Sequence, residues 1–467
     1  MLDRPYQTNL PASSPVWVSD YRFRVVLTWM VWLQLFYMIV AFDELLGQTT
    51  GLLRPIKMGL LGASILLIVW RSGLTWLLLR TINPFLTGFV VFAGMSVAWS
   101  IEPSFTINRM ISLISLFAVC VAFGLVSWER TKFQDLMIPI ITAILIGSLL
   151  LGMVNRSLVT EVGDTISLSG AWKGLTLQKN SFGQVAAFGV ILWYHSHLTK
   201  ERSGRSVLIG FFISGLCLIL SKSSTSLLSS VFGVVFLTLL LRSPPNLKRY
   251  MPLIVTIFAL LVLVFSTAVL RIVPGLEVLL QPIVMVTGKD LTFSNRSVIW
   301  DIIREHVKFA PMLGTGYGAY WLGVNYPWSP SFEFYALMYF YPGQSHNGYL
   351  EVINDLGYIG GAILAGYLFV LVKQSLTLLK MDRPQGALYL ALFFMQTMTN
   401  LSQSIWFQYA SFEFVIMMFA TVALGRALLD HKLRAVYSDT PNDGSGRFSA
   451  AGSPIVSPSP LHWRPRG

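Results

Sequence analysis

Long apolar runs, each near the length of a bilayer crossing, alternate with short polar breaks along most of this chain. A hydrocarbon core of about 30 Å needs roughly 20 apolar residues per helix. Runs of this kind read as helices rather than as the alternating strands of a barrel. About twelve such segments stand out by hydropathy. They centre on residues 25–42, 56–70, 83–99, 107–127, 135–154, 181–197, 206–220, 225–241, 251–270, 349–372, 386–401 and 406–425. Residues 1–24 read as a polar, disordered lead and 429–467 as a disordered tail, rich in Ser, Pro and Gly from 436 onward. The expected fold is an all-α polytopic membrane protein with one membrane domain, residues 25–428.

One stretch breaks the pattern. Residues 271–346 separate the ninth and tenth apolar runs, and from 291 to 361 the chain carries Arg296, Asp301, Arg304, Glu305, His306, His346, Glu351 and Asp355. Within it, Val298, Ile299, Ile302, Ile303, His306 and Phe309 recur at helical spacing until Pro311. This predicts an amphipathic helix of about four turns near the membrane surface, capped by Ser294 or Asn295. A turn, Gly314-Thr315-Gly316-Tyr317-Gly318, follows, then a segment dense in Tyr, Trp and Phe up to Tyr341. Pro342 and Gly343 end the loop, and Ser345 is positioned to cap the tenth membrane helix, with His346 at its start.

Composition fits this picture. The 467 residues are 54% hydrophobic and only 12% charged, with mean hydropathy +0.62. A formal net charge of +12 invites a nucleic-acid reading, but in a membrane protein basic residues mark the cytoplasmic loops. With the N-terminus inside and alternating crossings, 22 of the 34 Lys and Arg residues fall on the cytoplasmic side. Both termini are then cytoplasmic, the 271–346 loop lies outside, and no nucleic-acid partner is expected. Cys120 and Cys217 sit inside apolar runs, which disfavours disulfides and thiolate-bound metal. The polar lead, with no small-residue cleavage site after the first run, reads as preceding an uncleaved anchor.

The basic residues left outside need individual reasons. Arg296 falls in the first turn of its helix, where a cation opposes the helix dipole. Either an external anion or a salt bridge to Asp301, Glu305 or another loop's carboxylate would explain it. His346 at a helix start sits where N–H groups favour an anion, and imidazole suits proton transfer near neutral pH. A packing histidine is the alternative. Lys179 in the outer segment before the sixth span, and Lys222 in the turn Ser221–Ser226, would extend a cationic basin fit for a diphosphate. Each alone also suits lipid headgroups. The glycine turn matches neither a P-loop nor a dinucleotide fingerprint, and a tight turn is its simpler use. The aromatics suit sugar faces and the membrane interface alike.

At these residues the chain resembles the O-antigen ligase and O-antigen or exopolysaccharide polymerase superfamily, with a general similarity to succinoglycan-type polymerization proteins. The resemblance rests on Lys179-Asn180…Gly183, the turn at 221–226, the run Arg296…Trp300…Pro311…Gly314-x-Gly316, and His346-Asn347 opening a helix with Gly357 and Gly360. It implies a GT-C-like glycosyltransferase of the bacterial inner membrane, its site facing the periplasm. The donor would be an oligosaccharide on undecaprenyl diphosphate, with no cofactor and no metal. The acceptor would be a growing glycan in a polymerase or lipid A core in a ligase, with chain-length regulators, export proteins and membrane lipids as partners. By resemblance Arg296 binds the donor diphosphate, assisted by Lys179 and Lys222, and His346 activates the acceptor hydroxyl or assists the leaving group. Asn180, Asn347, Gly314 and Gly316 support them. Relatives carry a basic residue where Ser224 stands here, so Lys222 is the turn's only cation. A lipid-linked oligosaccharide flippase, the reading from another class, would place charges within several spans.

Overall fold

The computed structural model describes residues 15–40, 50–125, 133–161, 170–244 and 296–438, with scattered positions between 249 and 264. The principal helices are α1 (Pro15–Ile39), α2 (Thr50–Trp70), α3 (Ser72–Thr81), α4 (Pro84–Met95), α5 (Pro103–Gly124), α6 (Phe133–Val154) and α7 (Lys179–Thr199). They continue with α8 (Gly204–Leu220), α9 (Ser224–Arg242), α10 (Arg296–Val307), α11 (Phe332–Met338), α12 (Gly348–Met381), α13 (Arg383–Thr399) and α14 (Phe412–Ser438). Among the described residues there is no strand, only an isolated bridge between Thr160 and Trp172.

Five of these helices, α5, α6, α9, α12 and α14, are long and apolar enough to cross a bilayer. A sixth crossing results if α2 and α3, bent by 99°, count as one broken span. The chain is thus a multi-pass membrane protein, all-helical over its described residues. The other expected crossings are shorter or less apolar helices, and the ninth is described only at scattered positions. Residues 1–14, 271–295 and 439–467, which include much of the lead, loop and tail, lie outside the described residues.

The helix ends depart from expectation in three places. First, α1 starts at Pro15, inside the expected lead, and α14 runs to Ser438, inside the expected tail. Second, the chain between the second and third expected spans is mostly helical: α3 follows directly on the turn residue Arg71 and holds Arg80 in its last turn. Arg71 turns the chain there and donates from Nη1 to Leu125 O at 2.9 Å. Third, the expected twelfth span from Trp406 is helical only from Phe412. Asn400 Oδ1 takes the N–H groups of Ile405 and Trp406, and Phe407, at φ 62°, stacks on Phe89 with centroids 3.8 Å apart. An irregular segment is tolerated at that depth because protein surrounds it.

Burial sorts the helices into inner and outer ones. Almost every side chain of α13, and most of α7 and α14, is buried, as expected of helices apolar all round. Leu208, Ile209, Phe212 and Ile219 of α8 and Leu228 and Val231 of α9 face outward, where lipid would lie. Cys120 and Cys217 are buried and unpaired.

The feature that shapes the site is a break in α12. Gly357 adopts φ 64°, ψ −167°, a region open essentially to glycine alone. The broken turn frees carbonyls and N–H groups, and the segment 311–318 uses them. Tyr358 N–H donates to Pro311 O at 2.8 Å and Ile359 N–H to Met312 O at 3.3 Å. Thr315 and Gly316 N–H donate to Asn354 O and Asp355 O at 3.2 and 3.0 Å. A Cβ at Gly357 would strike the Met312 carbonyl, and one at Gly314 (φ 69°) would strike the Asp355 carbonyl. Gly357→Ala is therefore expected to destabilise the protein by about 1–3 kcal/mol from backbone strain alone, before the clash. Thermal unfolding in detergent checks this, and an unchanged midpoint would contradict the docking.

Candidate active site

The loop helix α10 buries Ile299, Trp300, Ile303 and Val307 against Tyr320, Trp321, Phe334 and Leu350. This second, smaller core sits over the start of α12. The expected apolar face is therefore shifted: Val298 and Phe309 are exposed, and Trp300 takes their place. The Trp300 indole donates to Ser345 O at 2.9 Å, which ties α10 to the turn carrying His346. His306 joins the aromatic segment through Tyr320 Oη and through Glu333 at 2.6 Å.

That turn is built differently from the sequence expectation. Asn347, not Ser345, caps α12: its Oδ1 accepts the Tyr349 and Leu350 N–H groups, both at 3.1 Å. Ser345 braces the turn instead, accepting Asn347 N–H and donating to Asn347 O. Gly348 N–H donates to Asn400 O, and Glu351 N–H to Asn347 O. The first N–H groups of α12 are therefore satisfied within the protein and are not open to a phosphate. The buried Glu351 carboxyl fills the turn from inside: it accepts Ser345 N–H at 2.6 Å, the Ser404 hydroxyl at 2.9 Å and the Trp321 indole at 2.7 Å. An anion at this site must rely on side-chain cations.

Arg296 lies one turn before Trp300, whose bond to Ser345 O brings the start of α10 to the His346 turn. Burial, and next to it the Arg296 charge, push the His346 imidazole down from its ordinary 6.5 to about 4. His346 itself sits at φ 55°, and its Nδ1 is buried with no hydrogen-bond partner among the described residues. Burial lowers the Arg296 guanidinium below its ordinary value as well. The local carboxylates do not serve it: Asp301 pairs with Arg304, and Glu305 pairs with Lys308 at 2.6 Å. So a half-buried cation stands beside a neutral imidazole with a vacant ring nitrogen.

The two lysines belong to other segments. Lys179 opens α7, and its N–H donates to Glu161 at 2.6 Å. Asn180 Oδ1 accepts the Ser223 hydroxyl at 3.0 Å, joining α7 to the 221–226 turn. A side chain at Gly183 would collide with Ser221, Ser223 and Ser226, so the two segments touch backbone to side chain. Lys179 lies one turn above Gly183 on the same face. Lys222, exposed at φ 49°, belongs to that turn. From it, Thr225 accepts the Ser402 hydroxyl at 3.0 Å, and Ser404 in the same segment meets Ser345 at 2.9 Å. The 400–406 segment thus bridges the lysine turn and the His346 turn.

The glycine turn is a docking device. The N–H groups of Gly314, Thr315, Gly316 and Gly318 go to Ala310 O, Asn354 O, Asp355 O and Asp355 Oδ2. None is left to cradle a phosphate; Gly314 and Gly316 instead let the loop dock on the α12 break.

Residues 209–365 match the family model described as O-Antigen ligase. A curated relative, "Exopolysaccharide production protein ExoQ" of Rhizobium meliloti (strain 1021), is 26% identical over 286 residues, covering 59% of this chain and 61% of the relative. Over the residues these matches cover, the chain is similar to the O-antigen ligase and polysaccharide polymerase superfamily. The O-antigen ligase match takes in Lys222, Arg296, Gly314, Gly316, His346 and Asn347 and leaves Lys179 and Asn180 outside it.

Three supports of the site escape a reading of the sequence. Glu351 reads as one of a polar stripe, yet it joins three segments. Asn400 receives Gly348 so closely that no side chain fits at 348. Arg109, inside an apolar run, holds the aromatic segment by the carbonyls of Gly318 and Trp321, the latter at 3.3 Å. Only Arg109 leaves a signal: a lone cation where α5 begins, on the side where basic residues are scarce.

Proposed function

We propose that the protein extends a glycan by transferring undecaprenyl-diphosphate-linked oligosaccharide units, at the periplasmic face of the inner membrane, as an exopolysaccharide or O-antigen polymerase. The observation that carries this reading is that Trp300 ties the start of α10 to the His346 turn, near enough for the Arg296 charge to act on a neutral imidazole whose Nδ1 has no partner among the described residues. The acceptor hydroxyl attacks the anomeric carbon. The new glycosidic C–O bond forms as the bond to the diphosphate oxygen breaks, and the electron pair leaves with undecaprenyl diphosphate. His346 takes the hydroxyl proton, a contribution of about 10²–10⁴-fold for a positioned base. Arg296 meets the charge that grows on the leaving diphosphate, where a fixed cation acts without reorganisation. Lys179 and Lys222 add positive charge at the rim, and no metal or nucleotide sugar enters the scheme. The aromatic segment, held by Arg109 and Glu351, lies where the glycan would pass.

The pH dependence follows from the His346 shift. The base works unprotonated, and its depressed value of about 4 keeps it so through the neutral range. The kcat/KM profile reports the free enzyme. It is expected to stay flat as pH falls from 8 to about 5 and to drop below that, as His346 takes a proton near 4. In Arg296→Ala the residual activity should show its acid limb at higher pH, since one cause of the depression is gone. A wild-type limb centred on the ordinary 6.5 would contradict the assignment.

Reconstitution tests the reaction itself. The purified protein in liposomes receives an undecaprenyl-diphosphate oligosaccharide, without and with lipid A core. Chain growth from the donor alone supports a polymerase. Transfer only to the core makes the protein a ligase, and transport across the bilayer without a new glycosidic bond overturns the enzyme reading.

A further inference from the structure

The level at which α12 breaks is also the level at which another part of the chain turns. The connection between α4 and α5, residues 96–102, packs against the same loop. Trp99 Nε1 donates to Leu313 O at 3.0 Å, Ile101 N–H to Thr315 O at 3.0 Å, and Tyr317 N–H to the Ser96 hydroxyl at 2.9 Å. A lipid-exposed connection between two apolar helices marks where the chain leaves hydrocarbon, because its backbone polar groups need water or protein. The length of α12 points to the same level. Its 34 residues would reach about 51 Å at 1.5 Å per residue, against a hydrocarbon core of about 30 Å. Between Asp355 and Lys373 the helix carries no charge, a run of about 26 Å. The hydrocarbon boundary nearest the site therefore falls at Gly357 rather than at the helix start.

Beside that break the chain exposes an apolar run. Phe309 is 87% exposed, Met312 55% and Tyr358 55%, with Leu313 also open. Pro311 and Met312 are hydrogen-bonded to Tyr358 and Ile359, so their depth along α12 is fixed. The charged pair Glu305–Lys308, both exposed, precedes the run on α10 and its end. Aromatic and apolar side chains flanked by charge favour the membrane interface.

We infer that Phe309–Leu313 is an interfacial anchor that inserts into the lipid leaflet beside the site. The boundary of the hydrocarbon then runs past Trp99, Met312 and Tyr358. The first turns of α12, with Glu351 and Asp355, stand above it inside protein. The anchor is rigidly joined to the helix that starts beside His346, so it sets the height of the site over the lipid surface.

The test uses full-length Phe309→Cys and Met312→Cys, each labelled with a nitrobenzoxadiazole fluorophore, in phosphatidylcholine liposomes. Glu305→Cys serves as the water-facing comparison, and the native Cys120 and Cys217 are buried. The expected result is blue-shifted emission at 309 and 312, quenched several-fold more by acyl-chain-brominated lipid than at 305. Emission at either position as water-like and as weakly quenched as at 305 would overturn the anchor, whatever the protein's transferase activity.

Discussion

Arg296→Ala is expected to lower kcat for glycan transfer by about 10²–10³-fold, the loss typical when one fixed donor to a developing anion is removed. In the proposed reaction, negative charge grows on the leaving diphosphate at a place where the helix N–H groups are already used. Gly348, Tyr349, Leu350 and Glu351 all donate their N–H groups within the protein. Few other groups there can take the charge, so the arginine's share is large. Arg296→Lys keeps the charge but loses the planar fork that grips two phosphate oxygens, and partial activity is expected of it. Turnover in liposomes, normalised to inserted protein, measures both. Arg296→Ala at wild-type rate would remove the residue from the chemistry.

Glu351→Ala should have the largest effect on stability. The carboxylate is buried and accepts from Trp321, Ser345 and Ser404. Ser404 can turn its hydroxyl to Ser345, its existing neighbour at 2.9 Å. The Trp321 indole and the Ser345 N–H have no such recourse, and each buried donor left unmade costs about 1–3 kcal/mol. A loss of about 2–6 kcal/mol is expected on that basis, with Glu351→Gln milder because one acceptor oxygen remains. Because Ser345 precedes His346, whose φ of 55° is held by its surroundings, activity should fall in step with the loosening of this turn. Equilibrium unfolding of the purified variants tests the ordering wild type, Gln, Ala. Equal stability of all three would show that Glu351 does not brace the turn.

Much of the membrane scaffold is legible in the sequence, because bilayer thickness imposes a length on each apolar run. The runs at 107–127, 135–154, 206–220 and 225–241 coincide with α5, α6, α8 and α9 within a few residues. The break at Gly357 is not legible. Helix-compatible residues flank it, and a glycine there reads as a packing residue. Its cause is the distant segment 311–316, which supplies the partners that the broken turn needs. The start of α12 misleads for a similar reason. A serine, a histidine and an asparagine before a helix suggest free N–H groups, and only the fold brings Asn400 and Glu351 to occupy them. Arg296 is legible as a cation out of place. Its nearness to His346 is not, since the aromatic segment between them sets the geometry through Trp300, Trp321 and the turn they hold.

The most direct measurement is a double-mutant cycle on transfer rate, with Arg296→Ala, His346→Ala and the double variant reconstituted side by side. Two groups acting on one reacting centre lose much of their separate effects once either is gone. The expected result is a large loss in each single variant and a double variant little slower than the slower single. Losses that multiply fully, or single variants that transfer glycan at the wild-type rate, would show that Arg296 and His346 do not form one catalytic centre.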